Sequence, residues 1–268
     1  MKENLKIFHT NILEGIGRTP LAKLNHFSKD IPAEIFAKLE FLNPMGSIKD
    51  RVALHMVKKA EREGRLSPGA TIIDNSSGNT ALALAMVCAI NGYKLKMVVR
   101  DNLSSEKIKF LKALNVGLVF VDHMLPPESP MSYNNITPSI VEQTPNGYFF
   151  DQHNNRDNSE THYLSTGPEI WEQMEGRIDF FVAGIGTGGT ISGVARYLKE
   201  KDPNIRIIGV DPKGSIFYDY FYSKTFITPS PYLIEGLGDE FLINCVDFSL
   251  IDDIYRVEDI EAFRMARK

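Results

Sequence analysis

An α/β architecture with mostly parallel sheets is predicted from three observations. Short β-rich runs alternate with longer stretches of helical periodicity. Loops of glycine, serine and threonine join the C-terminal ends of two of those runs directly to the next helical stretch. No internal repeat or low-complexity tract breaks the alternation. Such β-α-β order implies crossovers over a parallel sheet covered by helices, with ligands bound beyond the C-terminal ends of the strands.

In chain order, the strand-like runs are 34–41, 71–75, 95–100, 117–122, 148–152, 179–185 and 206–211. Helical patterns are expected near 47–65, 79–92, 104–114, 167–174 and 190–201. Segment 125–143 carries Pro126, Pro127, Pro130 and Pro138, and reads as a long connection before a short helix. Residues 212–234 are rich in aromatic and turn residues.

Composition narrows the function classes. At roughly 150 residues per domain, 268 residues make one large or two modest domains. Lys and Arg total 30 against 34 for Asp and Glu, a net charge of −4, so no bulk basic surface is present to hold a nucleic acid or an anionic membrane. Hydrophobic residues at 43% and charged residues at 24% match an ordinary globular protein. The distant Cys88 and Cys245 form neither a disulfide framework nor a CxxC motif and read as buried thiols. The N-terminus has no apolar signal region and no run is long enough to cross a bilayer, so a cytoplasmic protein is expected.

Three segments carry chemistry. In the first, the apolar run DFFVAGI enters Gly184-Ile185-Gly186-Thr187-Gly188-Gly189-Thr190 and continues into ISGVARYLKEK. The glycines let backbone N–H groups converge, and the helix N-terminus adds its positive end, which makes a phosphate cradle. Two ligands are compatible with it. GxGxxG, with Asp211 22 residues after Gly189, suits a dinucleotide; the Thr187 and Thr190 hydroxyls suit a phosphate monoester.

The second segment is Asn43-Pro44-Met45-Gly46-Ser47-Ile48-Lys49-Asp50-Arg51, a turn followed by a helix start. Ser47 is the expected N-cap, with Asp50 in the capping-box position. Lys49 then lies in the first helical turn, where the dipole end and Arg51 favour the neutral, nucleophilic amine. The competing reading is a solvated surface lysine. The third segment, Asp74-Asn75-Ser76-Ser77-Gly78-Asn79-Thr80, offers Ser76, Ser77 and Thr80 beside helix amides as a cradle sized for a carboxylate. Here the competing reading is that the hydroxyls only cap the helix. Together, a phosphate cradle, a carboxylate cradle and a nucleophilic amine suit pyridoxal 5′-phosphate holding an amino acid. A nicotinamide dehydrogenase would use only the first.

NPMGSIKDR, NSSGNT, GIGTGGTISG, GVDPKGS and IEGLG, in this order and spacing, resemble the fold-type II pyridoxal-phosphate enzymes of the cysteine synthase/cystathionine β-synthase family. The similarity runs from Ile16 to about Lys268. It implies two three-layer αβα domains of tryptophan synthase β-like fold, with mostly parallel sheets. The larger, cofactor-binding domain would comprise 1–40 plus 148–268; the smaller, mobile one, 41–147, would carry the lysine and the carboxylate loop. A cofactor cleft and a homodimer are implied as well. By position, Lys49 would be the Schiff-base lysine and the base for the Cα proton, and Asn79 would contact the ring hydroxyl. Gly186, Thr187, Gly188, Gly189 and Thr190 would bind the phosphate, and Gly236 would line the cofactor's face. Ser76, Ser77 and Thr80 would grip the substrate carboxylate, and Gln152 would enter the substrate pocket.

The implied reaction is β-replacement on serine or an O-activated serine by sulfide or a thiol, giving cysteine or cystathionine. Pro127-Glu128-Ser129, the run from Gln152 to Tyr163 and GVDPKGS look more like cystathionine β-synthase than plain cysteine synthase. Ala81 stands where the family usually has glycine, a mild packing change. Haem and nucleotide regulation are not expected, as the chain has neither a haem-binding Cys-Pro segment nor a C-terminal regulatory module. Family members continue past the equivalent of Lys268 with a serine that faces the pyridine nitrogen. The alternative this raises is a cofactor-poor, non-catalytic relative. The six histidines show no HExxH or close ligand pair, so no metal is expected; only His153 is a pocket candidate.

Overall fold

The computed structural model describes residues 8–126 and 128–268; Pro127, part of one stretch likened to cystathionine β-synthase, lies outside the described residues. By internal packing the chain divides into two compact units, Met1–Asp151 and Gln152–Lys268.

The first unit opens with an antiparallel pair, β1 (Leu21–Lys23) and β2 (Phe36–Lys38), flanking the one-turn α1 (Asn25–Ser28). Only Phe36–Lys38 of the expected strand 34–41 pairs, because Glu40–Leu42 turns into a 3-10 helix. Next comes α2 (Lys49–Arg62), then β3 (Thr71–Asn75), α3 (Asn79–Asn91), β4 (Lys94–Arg100), α4 (Ser105–Ala113), β5 (Gly117–Val121), α5 (Thr137–Glu142) and β6 (Gly147–Phe149). The four strands form a parallel sheet in the order β5-β4-β3-β6, with Ile72 opposite Leu95 and Tyr148. Helix α3, NTALALAMVCAIN, is apolar nearly all round and buries Ala81, Ala83, Leu84, Ala85, Val87 and Cys88, as expected of a helix enclosed on several sides. It packs on α2, whose Val52, Ala53, Met56, Val57 and Ala60 are fully buried.

The expected domain boundaries differ from this division. Strand β6 pairs with β3, so an end at 147/148 would cut through a strand of the first sheet. Of the expected segment 1–40, the described residues 8–40 fall in the first unit, where the Arg51 guanidinium binds Glu40 and Thr19 and ties them to α2.

The second unit contains α6 (Asp157–Leu164), α7 (Thr166–Gln173), β7 (Phe180–Gly184), α8 (Gly189–Lys201), β8 (Arg206–Pro212), α9 (Phe217–Ser223), β9 (Asp253–Val257) and α10 (Asp259–Ala266). Its parallel sheet runs β7-β8-β9. The core gathers Ile185, Ile191, Val194 and Leu198 around Ile207 and Ile254. Helix α8 lies closely against α6: a Cβ on Gly193 would come within 2.1 Å of the Ser159 carbonyl oxygen.

Candidate active site

In the first unit, the candidate residues lie at the starts of α2 and α3, two helices that pack on each other. Helix α2 begins at Lys49, two residues later than expected, with Ile48 as its cap residue and no side chain capping it there. Ser47 still works one step earlier, its Oγ accepting from the Lys49 amide at 3.2 Å. Asp50 reaches Met45, accepting its N–H at 2.7 Å, where the capping-box expectation had paired it with the cap residue. The turn is thus closed from inside the helix, which fixes where Lys49 leaves the backbone. Desolvation pulls the Lys49 ammonium from 10.5 down to about 8, the direction that favours a nucleophilic amine over a solvated surface lysine.

Helix α3 begins at Asn79 with Gly78 as the cap residue and, again, no side-chain cap. Ser76 Oγ accepts from the Gly78 amide at 3.3 Å and so shapes the loop. No side chain caps α3 at Gly78, and Ser76 and Ser77 are half-buried, Thr80 buried and Asn79 exposed at its start. Asn75, at the end of β3, donates from Nδ2 to the Tyr133 carbonyl at 3.3 Å, which ties the proline-rich connection to the strand end.

In the second unit, α8 starts at Gly189 behind Gly188, whose φ is +79° and whose backbone no side chain caps. Every glycine of this loop is packed against. A Cβ would lie 2.3 Å from the Gly236 carbonyl oxygen at Gly186, 2.3 Å from Val246 Cγ2 at Gly188, and 1.9 Å from Asn158 Oδ1 at Gly189. Gly236, itself at φ +82°, therefore borders the loop through its carbonyl oxygen. Gln152 is buried, and its main-chain carbonyl accepts from Asn158 Nδ2 at 2.7 Å.

Two residues of α6 sit beneath the loop, and the sequence reading had not singled them out. Asn158 Nδ2 also donates to Thr187 Oγ1 at 3.0 Å, and the fully buried His162 places Nε2 3.3 Å from Thr190 Oγ1 and Nδ1 2.9 Å from Thr166 Oγ1. The available signal was their i, i+4 spacing, which puts both on one face of the helix.

Asp211 does not act as a ribose acceptor. It is fully buried, its Oδ2 accepts from the Tyr218 amide at the start of α9 at 2.9 Å, and the dinucleotide spacing coincides with a helix cap. Among the described residues, Asp101, Asp122 and His123 bring three ligand-type atoms together, all on exposed residues. Their carboxylates stabilise a turn, with Asp101 Oδ1 accepting from the His123 amide and Asp122 Oδ1 from the Met124 amide.

Taken separately, the second unit carries an uncapped glycine loop with two threonine hydroxyls, and the first carries an uncapped helix start at α3 and a lysine with a lowered pKa at α2. The comparisons agree. The pattern of the family described as "Pyridoxal-phosphate dependent enzyme" matches residues 12–268, and the chain belongs to that family. It is 45% identical over 259 residues to cystathionine beta-synthase of Apis mellifera, covering 96% of this chain and 51% of that protein. It is 40% identical to a cysteine synthase of Staphylococcus aureus, covering 96% of this chain and 80% of that one. A crystal structure of a hydrogen sulfide-producing enzyme from Fusobacterium nucleatum superposes with a TM-score of 0.87 at 35% identity, over 97% of this chain and 84% of the other. The chain thus spans about half the length of the cystathionine beta-synthases that it matches.

Proposed function

We propose that this chain catalyses pyridoxal-phosphate-dependent β-replacement on serine or an O-activated serine, with sulfide or a thiol as acceptor and cysteine or cystathionine as product. The observation that carries the reading is Lys49: a helix-start lysine whose amine is desolvated and held near a pKa of about 8. Bound pyridoxal phosphate supplies an electron sink for the electrons of the Cα–H bond.

The rest falls to the residues of the chain. Gly186, Gly188 and Gly189 with Thr187 and Thr190 hold the phosphate by amides and hydroxyls at the start of α8, and Gly236 lines the neighbouring face. Ser76, Ser77 and Thr80, with the first amides of α3, orient the substrate carboxylate, and Asn79 meets the ring hydroxyl. Lys49, neutral in the working state, takes the Cα proton at Nζ; the substrate's Cβ–O bond breaks with its oxygen leaving as water or as the carboxylate or phosphate it carries, the acceptor adds at Cβ, and Lys49 returns the proton to Cα. Gln152 belongs to the substrate pocket. The segment 41–147, with Lys49 and the carboxylate loop, would be the mobile part that shields bound substrate from water.

Small amino acids and thiols are the partners, the protein acts as a cytoplasmic homodimer, and nucleic acid and membrane are not partners. The net charge of −4 supports that reading, and among the described residues no helix is long and apolar enough to cross a membrane.

The test is product formation by the purified protein supplied with pyridoxal phosphate. Serine and O-acetylserine are each paired with sulfide and with homocysteine, and cysteine or cystathionine is measured by mass spectrometry. The wild type forms one of them and Lys49→Ala forms neither. A Lys49→Ala variant with near-normal turnover, or a wild type that makes neither product, overturns the reading.

A further inference from the structure

Beneath the glycine loop of the second unit lies a chain of hydrogen bonds whose direction the chemistry fixes. Asn158 is 1% exposed, and its Nδ2 sits 2.7 Å from the Gln152 carbonyl oxygen and 3.0 Å from Thr187 Oγ1. A carbonyl oxygen can only accept, so the atom that faces it must be the amide nitrogen, and the orientation of the Asn158 side chain follows. Its second N–H then points at Thr187 Oγ1. Having accepted that bond, the Thr187 hydroxyl keeps its own proton to donate elsewhere. Asn158 Oδ1, pressed against Gly189, has no hydrogen-bond partner. An unpaired buried acceptor is costly, and such a cost calls for an explanation at a functional site.

We propose that Asn158 is a positioning residue that sets the polarity of Thr187, turning its hydroxyl proton toward a bound, acceptor-only phosphate dianion. This rests on the phosphate-cradle reading of the proposed function and deepens it. A fully ionised phosphate monoester presents oxygen acceptors and no donors, so the loop binds best when every group lining it donates. The amides at the start of α8 donate by nature; a threonine hydroxyl does so reliably only when a fixed donor occupies its lone pair. Asn158 is that donor, anchored by the main chain of Gln152 on its other side. The cradle is thereby wired for phosphate from within the fold, by a residue that need not touch the ligand.

The test compares pyridoxal phosphate with pyridoxal, which lacks the phosphate, by calorimetric titration of the apo protein. Thr187→Val removes the hydroxyl and leaves the Asn158–Gln152 bond in place, whereas Thr187→Ser keeps a hydroxyl there. Thr187→Val is expected to weaken pyridoxal phosphate about tenfold or more, Thr187→Ser to bind close to wild type, and pyridoxal to be indifferent to both. Asn158→Ala is expected to weaken pyridoxal phosphate selectively, and this effect to shrink strongly in a Thr187→Val background, the signature of one shared interaction.

Thermal melting of each apo variant separates folding from binding, and the two threonine variants decide the matter should Asn158→Ala not fold. Thr187→Val that binds phosphate as tightly as Thr187→Ser overturns the proposal, as does an Asn158→Ala loss that is equal for both ligands. A wild type with no preference for pyridoxal phosphate over pyridoxal overturns the cradle reading together with the proposal. A wild-type preference that Asn158→Ala leaves intact overturns the positioning role alone.

Discussion

Arg51 holds Glu40 through two parallel hydrogen bonds, Nε to Oε2 at 2.8 Å and Nη2 to Oε1 at 2.9 Å, two residues past Lys49. The pair is buried, with side-chain exposures of 2% and 13%. Its remaining valences are used: Thr19 Oγ1 donates to Glu40 Oε1 at 2.6 Å, and Asn43 Nδ2 donates to Oε2 at 2.8 Å. Removing one member of a buried pair strands the other charge, at a cost of about 3–5 kcal/mol. Arg51→Ala should therefore lower the unfolding free energy read from a urea titration by that amount. Arg51→Lys should recover only part of it, because an ammonium cannot reproduce the two-pronged geometry. Equal stability of Arg51→Lys and wild type would mean that the fork contributes nothing.

The glycine loop makes a sharper steric prediction. At Gly189 a methyl group would lie 1.9 Å from Asn158 Oδ1, and at Gly188 it would meet Val246 while demanding an L-residue at φ +79°. Gly189→Ala should cost about 1–3 kcal/mol or more, since the Asn158 amide it meets is buried and held by Gln152 and Thr187. Gly15 has only Pro44 Cγ, at an ordinary 3.8 Å, near its would-be Cβ. Gly15→Ala should stay within about 0.5 kcal/mol of wild type. Urea unfolding of the two variants checks this directly, and similar midpoints would refute it.

How much of this was legible in the sequence depends on where the decisive contact lies. The alternation and the two parallel sheets were legible, because runs such as Thr71–Asn75 and Arg206–Pro212 carry their own β-branched signal and end in glycine- or proline-marked turns. The placing of Lys49, the Ser76–Thr80 loop and the Gly186–Thr190 loop at helix starts was legible, because each lies at a strand-to-helix or turn-to-helix junction that composition alone marks. Helix α6 was not, since DNSETHYL has almost no apolar periodicity; its Asn158, Thr161 and His162 are buried only because α8 lies against them. Strand β9 was missed for a related reason: Asp253–Val257 buries only Ile254 well and is held by its register with β8. The polarity that Asn158 imposes on Thr187 spans 29 residues of sequence and belongs wholly to tertiary packing.

Lys49 gives a pH prediction whose sign can be worked out. Its folded pKa of about 8 lies below the model-peptide value of 10.5, so a proton leaves the folded protein sooner than the unfolded chain. Stability of the apo protein should rise with pH between about 8 and 10.5, where the unfolded state binds the extra proton. Below about 8 the folded state carries a desolvated ammonium, and Lys49→Met should be more stable than wild type there. The rate at which the apo protein captures pyridoxal phosphate should also climb with pH and level off above about 8, following the neutral amine. A rate still climbing toward 10.5 would return Lys49 to the class of solvated lysines.

Asp211 provides the opposite case. Burial raises its carboxyl from 3.8 to about 6, although the Tyr218 amide donates to Oδ2, while Oδ1 has no hydrogen-bond partner. The folded state therefore holds this proton more tightly than the unfolded chain, and stability falls as pH rises from about 4 to about 6. At neutral pH the full cost of a buried carboxylate is present. Asp211→Asn retains an oxygen to accept from the Tyr218 N–H while carrying no charge. It should be more stable than wild type at pH 7, and the difference should vanish near pH 4, where wild-type Asp211 is itself protonated. Urea midpoints at the two pH values measure this. If Asp211→Asn is instead destabilised equally at both, the shape of the carboxylate at the start of α9 matters more than its charge costs.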